Sequence, residues 1–525
     1  MTTARPASRR GAYAALLAAF LGWLFDGFEM GLFPLIGRPA LQDLLPDSTA
    51  AVQGQWFTII IAVFLVGAAT GGVLFGWLGD KLGRVKAMAL AIITFAVFTG
   101  LCGFVTSAWQ FAALRFVASL GMGGEWALGV ALVNEVWGSK NRAWVAGMIG
   151  AAANIGFLLT GLLSLYLNAS LETVGSWMQA IGISEGTADY LLHNRGWRFL
   201  AVSGTIPAVI VFFIRLFVPE SEKWEEEKAS GGTSHWATKD LLGVLVAAFV
   251  VLGIIAIWSP AVFAKVGNLV AIPATLIGMA VVLWGYLLPV RRYLGRAHGS
   301  GKFESGERST VMRNLLFGTA LASVALMGTW GSTQQAAKWA SFLSPQGTAA
   351  NLIEYVVIST ALGAIVFSMI APLIADRLGR RVTYFLLCLV ALTAAIVFFQ
   401  TNRSFEGTEV PVRIFVTAFF LGGLTSSFYG YFPLYFPELF PTSVRATGQG
   451  FCFNFGRIIA AIGSLQFVNL MSLFGSGKAL ELEGEARRLM QLQVEANAFT
   501  MLSCIYVVGM ILVWFAPETK GHQLR

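Results

Sequence analysis

The sequence predicts an all-α polytopic membrane protein made of two similar halves. The chain has 525 residues, of which 56% are hydrophobic and only 12% charged, and its mean hydropathy is +0.70. A soluble chain of this size needs far more charge to cover its surface. Apolar stretches of about 20 residues recur, the length that crosses a hydrocarbon core of about 30 Å; a β-barrel would instead show short alternating strands. A charged loop, Gly76-Trp77-Leu78-Gly79-Asp80-Lys81-Leu82-Gly83-Arg84, returns as Pro372-Leu373-Ile374-Ala375-Asp376-Arg377-Leu378-Gly379-Arg380-Arg381. A motif used twice between apolar runs implies tandem membrane halves, a common plan for transporters.

The first six spans are expected near 13–36, 55–79, 86–106, 109–136, 143–168 and 197–218. A second set is expected near 313–338, 352–375, 382–400, 411–436, 446–472 and 495–516. Two further apolar runs, near 241–258 and 269–290, carry no charge. Interfacial helices need a polar face, and 241–258 has none, so the pair reads as a membrane hairpin. The expected division is an N-terminal bundle at 1–218, a linker at 219–312 with the hairpin at 241–290, and a C-terminal bundle with a short tail at 313–525. About 14 transmembrane helices follow.

Lysine and arginine set the orientation. Arg9, Arg10, Lys81, Arg84, Lys86, Lys140, Arg142, Arg291, Arg292, Arg296, Lys302, Arg308, Arg313, Arg377, Arg380 and Arg381 all fall on one side if the hairpin enters and returns. That side is expected to be cytoplasmic, with both termini, in a plasma (inner) membrane. Positive-inside retention accounts for the net charge of +8 better than nucleic-acid binding does. Cys102, Cys388, Cys452 and Cys504 lie in apolar runs, so neither a disulfide framework nor a metal site is expected. Asp26 and Glu29 inside the first run argue against a cleaved signal peptide.

A second motif also repeats. Glu135, Gly138 and Arg142 close the fourth span of the first half, and Glu438, Pro441 and Arg445 close that of the second. With both motifs in the same order, the chain resembles the major facilitator superfamily over nearly its whole length. Arg115-Phe116-Val117-Ala118-Ser119-Leu120-Gly121-Met122-Gly123-Gly124-Glu125-Trp126 is similar to that superfamily's fourth-span motif, with Ser119 where many members have glycine. Pro219-Glu220-Ser221 and Pro517-Glu518-Thr519-Lys520-Gly521 resemble the half-ends of sugar porters. Asp26-Gly27-Phe28-Glu29, Gly123-Gly124-Glu125-Trp126, the stretch from Pro437 to Gly448, and Gly456-Arg457 resemble proton-coupled symporters of organic acids, among them sialate, aromatic-acid and metabolite symporters. Sialate symporters are similar in having two additional spans at the hairpin's place. The resemblance implies a major facilitator fold of two six-helix bundles plus a two-helix insertion.

Charges inside a bilayer are costly and usually functional. Counting rises of 1.5 Å puts Asp26 roughly 20 Å from the inner face and Arg115 roughly 10 Å below the outer one. They fall at one depth in a core of about 30 Å and are expected to pair. Protonating Asp26 would then free Arg115, whereas a permanent pair would only lock two helices. Glu29, on much the same face, is a second proton carrier or a carboxylate in the outer vestibule. Arg457 lies about 17 Å deep with no acid in its span, and suits a substrate carboxylate through bidentate bonding, or is a structural cation paired with Glu29 or a helix end. All four histidines fall in loops, so carboxylates are expected to carry the proton. Gln334, Gln335, Asn154, Asn454, Trp330 and Tyr429 are expected around the cavity, Gln334 and Gln335 foremost, because mid-span amides need partners.

Asp80, Arg84, Glu135 and Arg142 are expected as one cytoplasmic gate cluster, and Asp376, Arg380, Glu438 and Arg445 as the other. Retention alone would need no carboxylates. These residues together suggest a secondary transporter, not an enzyme, moving a small organic anion with a proton by alternating access. No nucleotide motif is present, and no cofactor is expected. The expected partners are the substrate, protons and lipid, without nucleic acid or an obligate protein. A sugar or polyol porter, a drug:proton antiporter and a non-transporting nutrient sensor are the alternatives.

Overall fold

The computed structural model describes residues 9–137, 141–301, 305–340, 343, 352–403 and 412–521. Gly138, Lys140, Lys302 and His522, used above, lie outside them. The described residues fold into helices α1 (Arg9–Leu44), α2 (Ala50–Leu82), α3 (Arg84–Leu101), α4 (Ala108–Val136), α5 (Arg142–Ala180), α6 (Glu185–Ser203), α7 (Ile206–Leu216) and α8 (Glu222–Ala229). The inserted pair is α9 (Leu241–Ile257) and α10 (Pro260–Gly299). Then come α11 (Ser305–Gly331), α12 (Ala336–Ala340), α13 (Leu352–Leu378), α14 (Arg380–Asn402), α15 (Val412–Ser426), α16 (Phe428–Leu439) and α17 (Arg445–Leu465). The chain closes with α18 (Phe467–Leu473), α19 (Ser476–Leu480), α20 (Gly484–Ser503) and α21 (Ile505–Leu512).

Among the described residues, twelve helical stretches are long and apolar enough to cross a membrane. The spans expected at 197–218 and 446–472 are not among them, for physical reasons. The first is broken between α6 and α7, and α6 leaves helical geometry at His193, Asn194, Arg195 and Gly196. The second, α17, carries Arg445, Gln449, Asn454 and Arg457, all buried. Both still sit in the bundle: α7 packs on α1 and α3, and α17 on α2 and α11. Helices are thus in place for all fourteen expected spans.

The bundles meet along two seams, α2 against α17 and α5 against α13. Small residues let the backbones approach, as in membrane helix pairs. A Cβ on Gly76 would meet Ala446 and Thr447, and one on Gly450 would meet the carbonyl of Gly72. Gly72 and Gly76 are one turn apart on α2, as are Ala446 and Gly450 on α17.

The insertion is a hairpin, longer than the expected 241–290, since α10 runs on to Gly299. Its helices touch where Gly285 faces Gly243. Trp258 Nε1 donates to Thr275 Oγ1 at 2.8 Å, satisfying an indole that hydrocarbon would strand. Tyr286 lies 2.9 Å from Thr70 Oγ1 on α2. Leu242, Leu245, Phe249, Leu276 and Ile277 are exposed, as a lipid-facing surface requires.

Candidate functional site

Helix α1 buries two carboxylates, Asp26 and Glu29, one turn apart. Helix α4 buries Arg115 and Glu125, ten residues or roughly 15 Å apart. Arg115 bonds Glu29, not Asp26, and lies over the rings of Phe33 and Phe64 at 4.9 and 4.6 Å. The expected Asp26–Arg115 pair is therefore replaced by a Glu29–Arg115 pair. The depth count was out by about one turn, and one turn decides which of two neighbouring carboxylates an arginine meets.

Glu125 and Arg215 lie against α1 at Gly22, one turn before Asp26. Glu125 Oε1 accepts from Arg215 Nη2 of α7 at 2.9 Å, and the same nitrogen donates to the Ala18 carbonyl at 3.2 Å. Neither oxygen of Asp26 has a donor among the described residues. Glu125 and Arg215 were missed as site residues. Both stand inside spans read from the sequence, Glu125 within the quoted Gly-Gly-Glu-Trp stretch, so the rule that buried membrane charges are functional would have found them.

Arg457 of α17 is buried, and its Nη1 donates to Asn454 Oδ1 at 2.7 Å. The guanidinium carbon stands 5.4 Å from the Phe453 ring. Arg457 lines a small cavity of about 20 Å³ with Trp23, Asn154, Phe157, Trp330, Gln334 and Tyr429. Five of the seven expected cavity residues thus line one space. Asn454 does not, because its amide is spent on the carbonyls of Gly123 and Gly450 at 3.1 and 3.0 Å and its oxygen on Arg457. Gln335 is half-buried and outside the lining. Trp330 lies in the last turn of α11, and Gln334 sits in the 3₁₀ turn Thr333–Gln335 that follows. A broken helix at the cavity wall is how membrane proteins free backbone and polar groups for a ligand.

Two charge clusters join the bundles. Arg84 bonds Asp80 at 2.7 Å and Glu135 at 3.0 Å. Glu135 also takes Arg445 from the other bundle at 3.0 Å. Arg380 bonds Glu438 at 2.6 Å, and Arg142 reaches the same carboxylate from the first bundle at 3.4 Å. The expected grouping is corrected accordingly: Arg142 and Arg445 exchange places, so each glutamate ties both bundles together. The reason is that each arginine begins the helix after its motif, at the seam. The aspartates also differ. Asp80 is buried and accepts from the Ala446 and Thr447 backbone at 3.3 and 2.8 Å. Asp376 is 66% exposed and 3.8 Å from Arg380.

The two half-end motifs have matching jobs. Glu220 caps α3 through the Arg84 and Val85 amides at 2.9 and 3.1 Å. Glu518 caps α14 through those of Arg380 and Arg381 at 2.9 and 3.0 Å. Carboxylates are favoured at helix N-termini. Burial raises the Glu220 carboxyl above its ordinary value despite these bonds. Burial acts the same way on Glu518, but amides of Arg380, Arg381 and Lys520 outweigh it and hold that carboxyl low.

Comparison with known proteins follows this geometry. The chain is 27% identical over 511 residues to a probable 4-methylmuconolactone transporter of Cupriavidus pinatubonensis, covering 97% of this chain and 91% of that one. It is 25% identical over 451 residues to the cis,cis-muconate transport protein of Acinetobacter baylyi, covering 85% of each. The solved structure of the major facilitator proton:xylose symporter XylE superposes with a TM-score of 0.64 at 17% identity, over 98% of both chains, a likeness of fold alone. Residues 14–235 and 316–525 match the family described as Sugar (and other) transporter. The chain belongs to that family and is a multi-pass integral membrane protein of the major facilitator fold.

Proposed function

We propose that this protein is a secondary active transporter that carries a small organic carboxylate with a proton by alternating access. The observation that carries the reading is Arg457, a buried guanidinium lining a small cavity between the bundles. A fixed cation there is wasted on a neutral sugar, and its planar fork matches a carboxylate. Trp23, Trp330 and Tyr429 give the cavity aromatic walls, and Asn154 and Gln334 give it amides. Relatives named for muconate and methylmuconolactone support an organic acid as cargo. Asp26 and Glu29 supply buried titratable groups.

In this reading the bundles are 1–218 and 313–525, joined by 219–312. The rim clusters and both termini face the cytoplasm across the cell membrane, following the basic loops. The rim holds that side shut until the bundles rock. Substrate, protons and lipid are its partners, and no protein partner is required. A sugar porter is the second reading, favoured by the amide and aromatic lining, which also suits hydroxyl groups.

The test is uptake into proteoliposomes under an imposed pH gradient, with lactate, benzoate, cis,cis-muconate, N-acetylneuraminate and xylose. Accumulation of an acid with the gradient, and not of xylose, is the expected result. Accumulation of xylose alone would move the sugar reading ahead.

A further inference from the structure

We infer that the base of the inserted hairpin is a binding site for an anionic phospholipid, whose phosphate sits among Lys239, Arg292 and Arg296 and whose acyl chains lie along α9. The site is separate from the Arg457 cavity and does not depend on the transport reading above. An open pocket of about 520 Å³ lies there, lined by Lys239, Arg292, Gly295 and Arg296. Lys239 belongs to the 3₁₀ turn Thr238–Asp240 that leads into α9, and the other three belong to the last two turns of α10.

The pocket comes from two packed helices of unequal length. Gly243 of α9 meets Gly285 and Leu288 of α10. Arg292 and Arg296 follow Leu288 at four-residue steps, on the same side of α10, and so reach past the start of α9. The buried Asp240 holds them there. It pairs with Arg292 at 3.6 Å and takes Arg296 through both carboxylate oxygens. Arg296 Nε also donates to the His235 carbonyl at 2.7 Å. Trp236 and Tyr293, both buried, stack at 4.3 Å beside this network. The arginines are therefore placed before any ligand arrives. Gly295, between them in sequence, leaves the space open, since a Cβ there would meet nothing within 4 Å.

Three cations against the carboxylate of Asp240 leave two positive charges in the cluster. Arg296 spends three of its five N–H donors on His235 and Asp240, and the ammonium of Lys239 is exposed. A phosphodiester supplies the charge and the paired oxygens that such a cluster binds. The neighbouring apolar surface assigns that phosphate to a lipid. Asp240 and Leu241 keep α-region backbone, so Lys239, Leu242, Val246 and Phe249 fall along one line, with Leu245 beside it. Leu242, Leu245, Val246 and Phe249 are 49–73% exposed. This stripe starts one turn from Lys239 and runs roughly 10 Å into the apolar span Thr238–Ile257. Basic residues at the end of such a span lie at headgroup level, where they attract anionic lipid. A soluble phosphate would use the cations and leave the stripe without an occupant.

The test uses the purified full-length protein, stripped of lipid in a neutral detergent, with binding read by native mass spectrometry and by Tm. The probes are dioleoylphosphatidylglycerol, dioleoylphosphatidylcholine, glycerophosphoglycerol and inorganic phosphate. Phosphatidylglycerol should bind and raise Tm, and the other three at equal concentration should not. Lys239→Gln combined with Arg292→Gln should weaken that binding about 30-fold, from about fivefold for each cation near a headgroup. Gly295→Phe fills the pocket without removing charge and suits a helix better than glycine, so it should weaken binding about tenfold while Tm without lipid holds. Lys86→Gln combined with Arg377→Gln removes two exposed charges outside the pocket and should bind as wild type does. Unchanged binding in either pocket variant, or an equal loss in the outside pair, overturns the site. Glycerophosphoglycerol or inorganic phosphate matching the lipid would make it a soluble-anion site instead. Phosphatidylcholine matching phosphatidylglycerol would remove the role of charge. These comparisons on wild type decide the assignment even where a variant fails to fold.

Discussion

Arg457 and Asp26 were legible at the scale of single residues because a charge inside an apolar run stands out against its surroundings. Their partners were not legible. Pairing depends on helix rotation and on depth to within a turn, and counting residues from a loop fixes neither. Asn454 shows the same limit: its place three residues before Arg457 is visible, but its role as a brace for the guanidinium needs α2 and α4 in position. Two expectations belong here. Arg457→Lys should bind carboxylates poorly, because lysine keeps the charge and loses the fork. Arg457→Gln should be worse, with a loss of about 2–5 kcal/mol in binding. Calorimetry with an acid and its uncharged amide checks both, and equal losses for the two ligands would make Arg457 structural. Gly22→Ala should part α1 from the Glu125–Arg215 pair. Overpacking of this kind costs about 1–3 kcal/mol, so a lowered Tm together with loss of pH-driven uptake is expected; unchanged uptake would show that the pair tolerates displacement.

At the scale of elements, hydropathy found the helices and could not find their breaks. The turn at Thr333–Gln335 and the interruption at Ser427 between α15 and α16 carry no proline or glycine at the break, whereas the one between α6 and α7 has a proline in the first turn of α7. Repetition of the loop motif suggested equivalent rim clusters, yet the packing makes them unequal. Asp80 reaches across the seam to the N-terminus of α17, where the backbone amides favour an anion. Asp376 stays in water beside Arg380. Asp80→Asn should therefore remove about 1–3 kcal/mol from the closed rim, altering cycling rate more than substrate affinity. Asp376→Asn should remove about 0–1 kcal/mol, as for an exposed ion pair. Turnover and substrate Kd of the two variants, measured side by side, decide this. Equal slowing of both would mean that the clusters act alike, and a large affinity loss with normal turnover would contradict a rim role for Asp80.

For the whole molecule, the sequence specified two bundles and an insertion because the run lengths and the two repeated motifs survive any local error in span boundaries. It did not specify where the insertion docks. The hairpin lies along the α2–α17 seam, contacting α2 and α17 together, with Tyr286 against Thr70. An element that touches both bundles where they meet bears on how they are held together, so its topology matters. Helix α10 leaves helical geometry at Gly267, with φ of 62°, close to the α9–α10 turn. It then runs to Gly299, a rise of roughly 50 Å at 1.5 Å per residue, well beyond a core of about 30 Å. A cysteine replacing Val266 should therefore react with an impermeant maleimide from the face opposite the basic loops, and one replacing Ser300 only from the basic-loop face. The experiment uses intact cells and inverted vesicles with the four native cysteines removed. Labelling of both positions from one face would place the hairpin flat on the membrane and leave the expected orientation of both bundles unchanged.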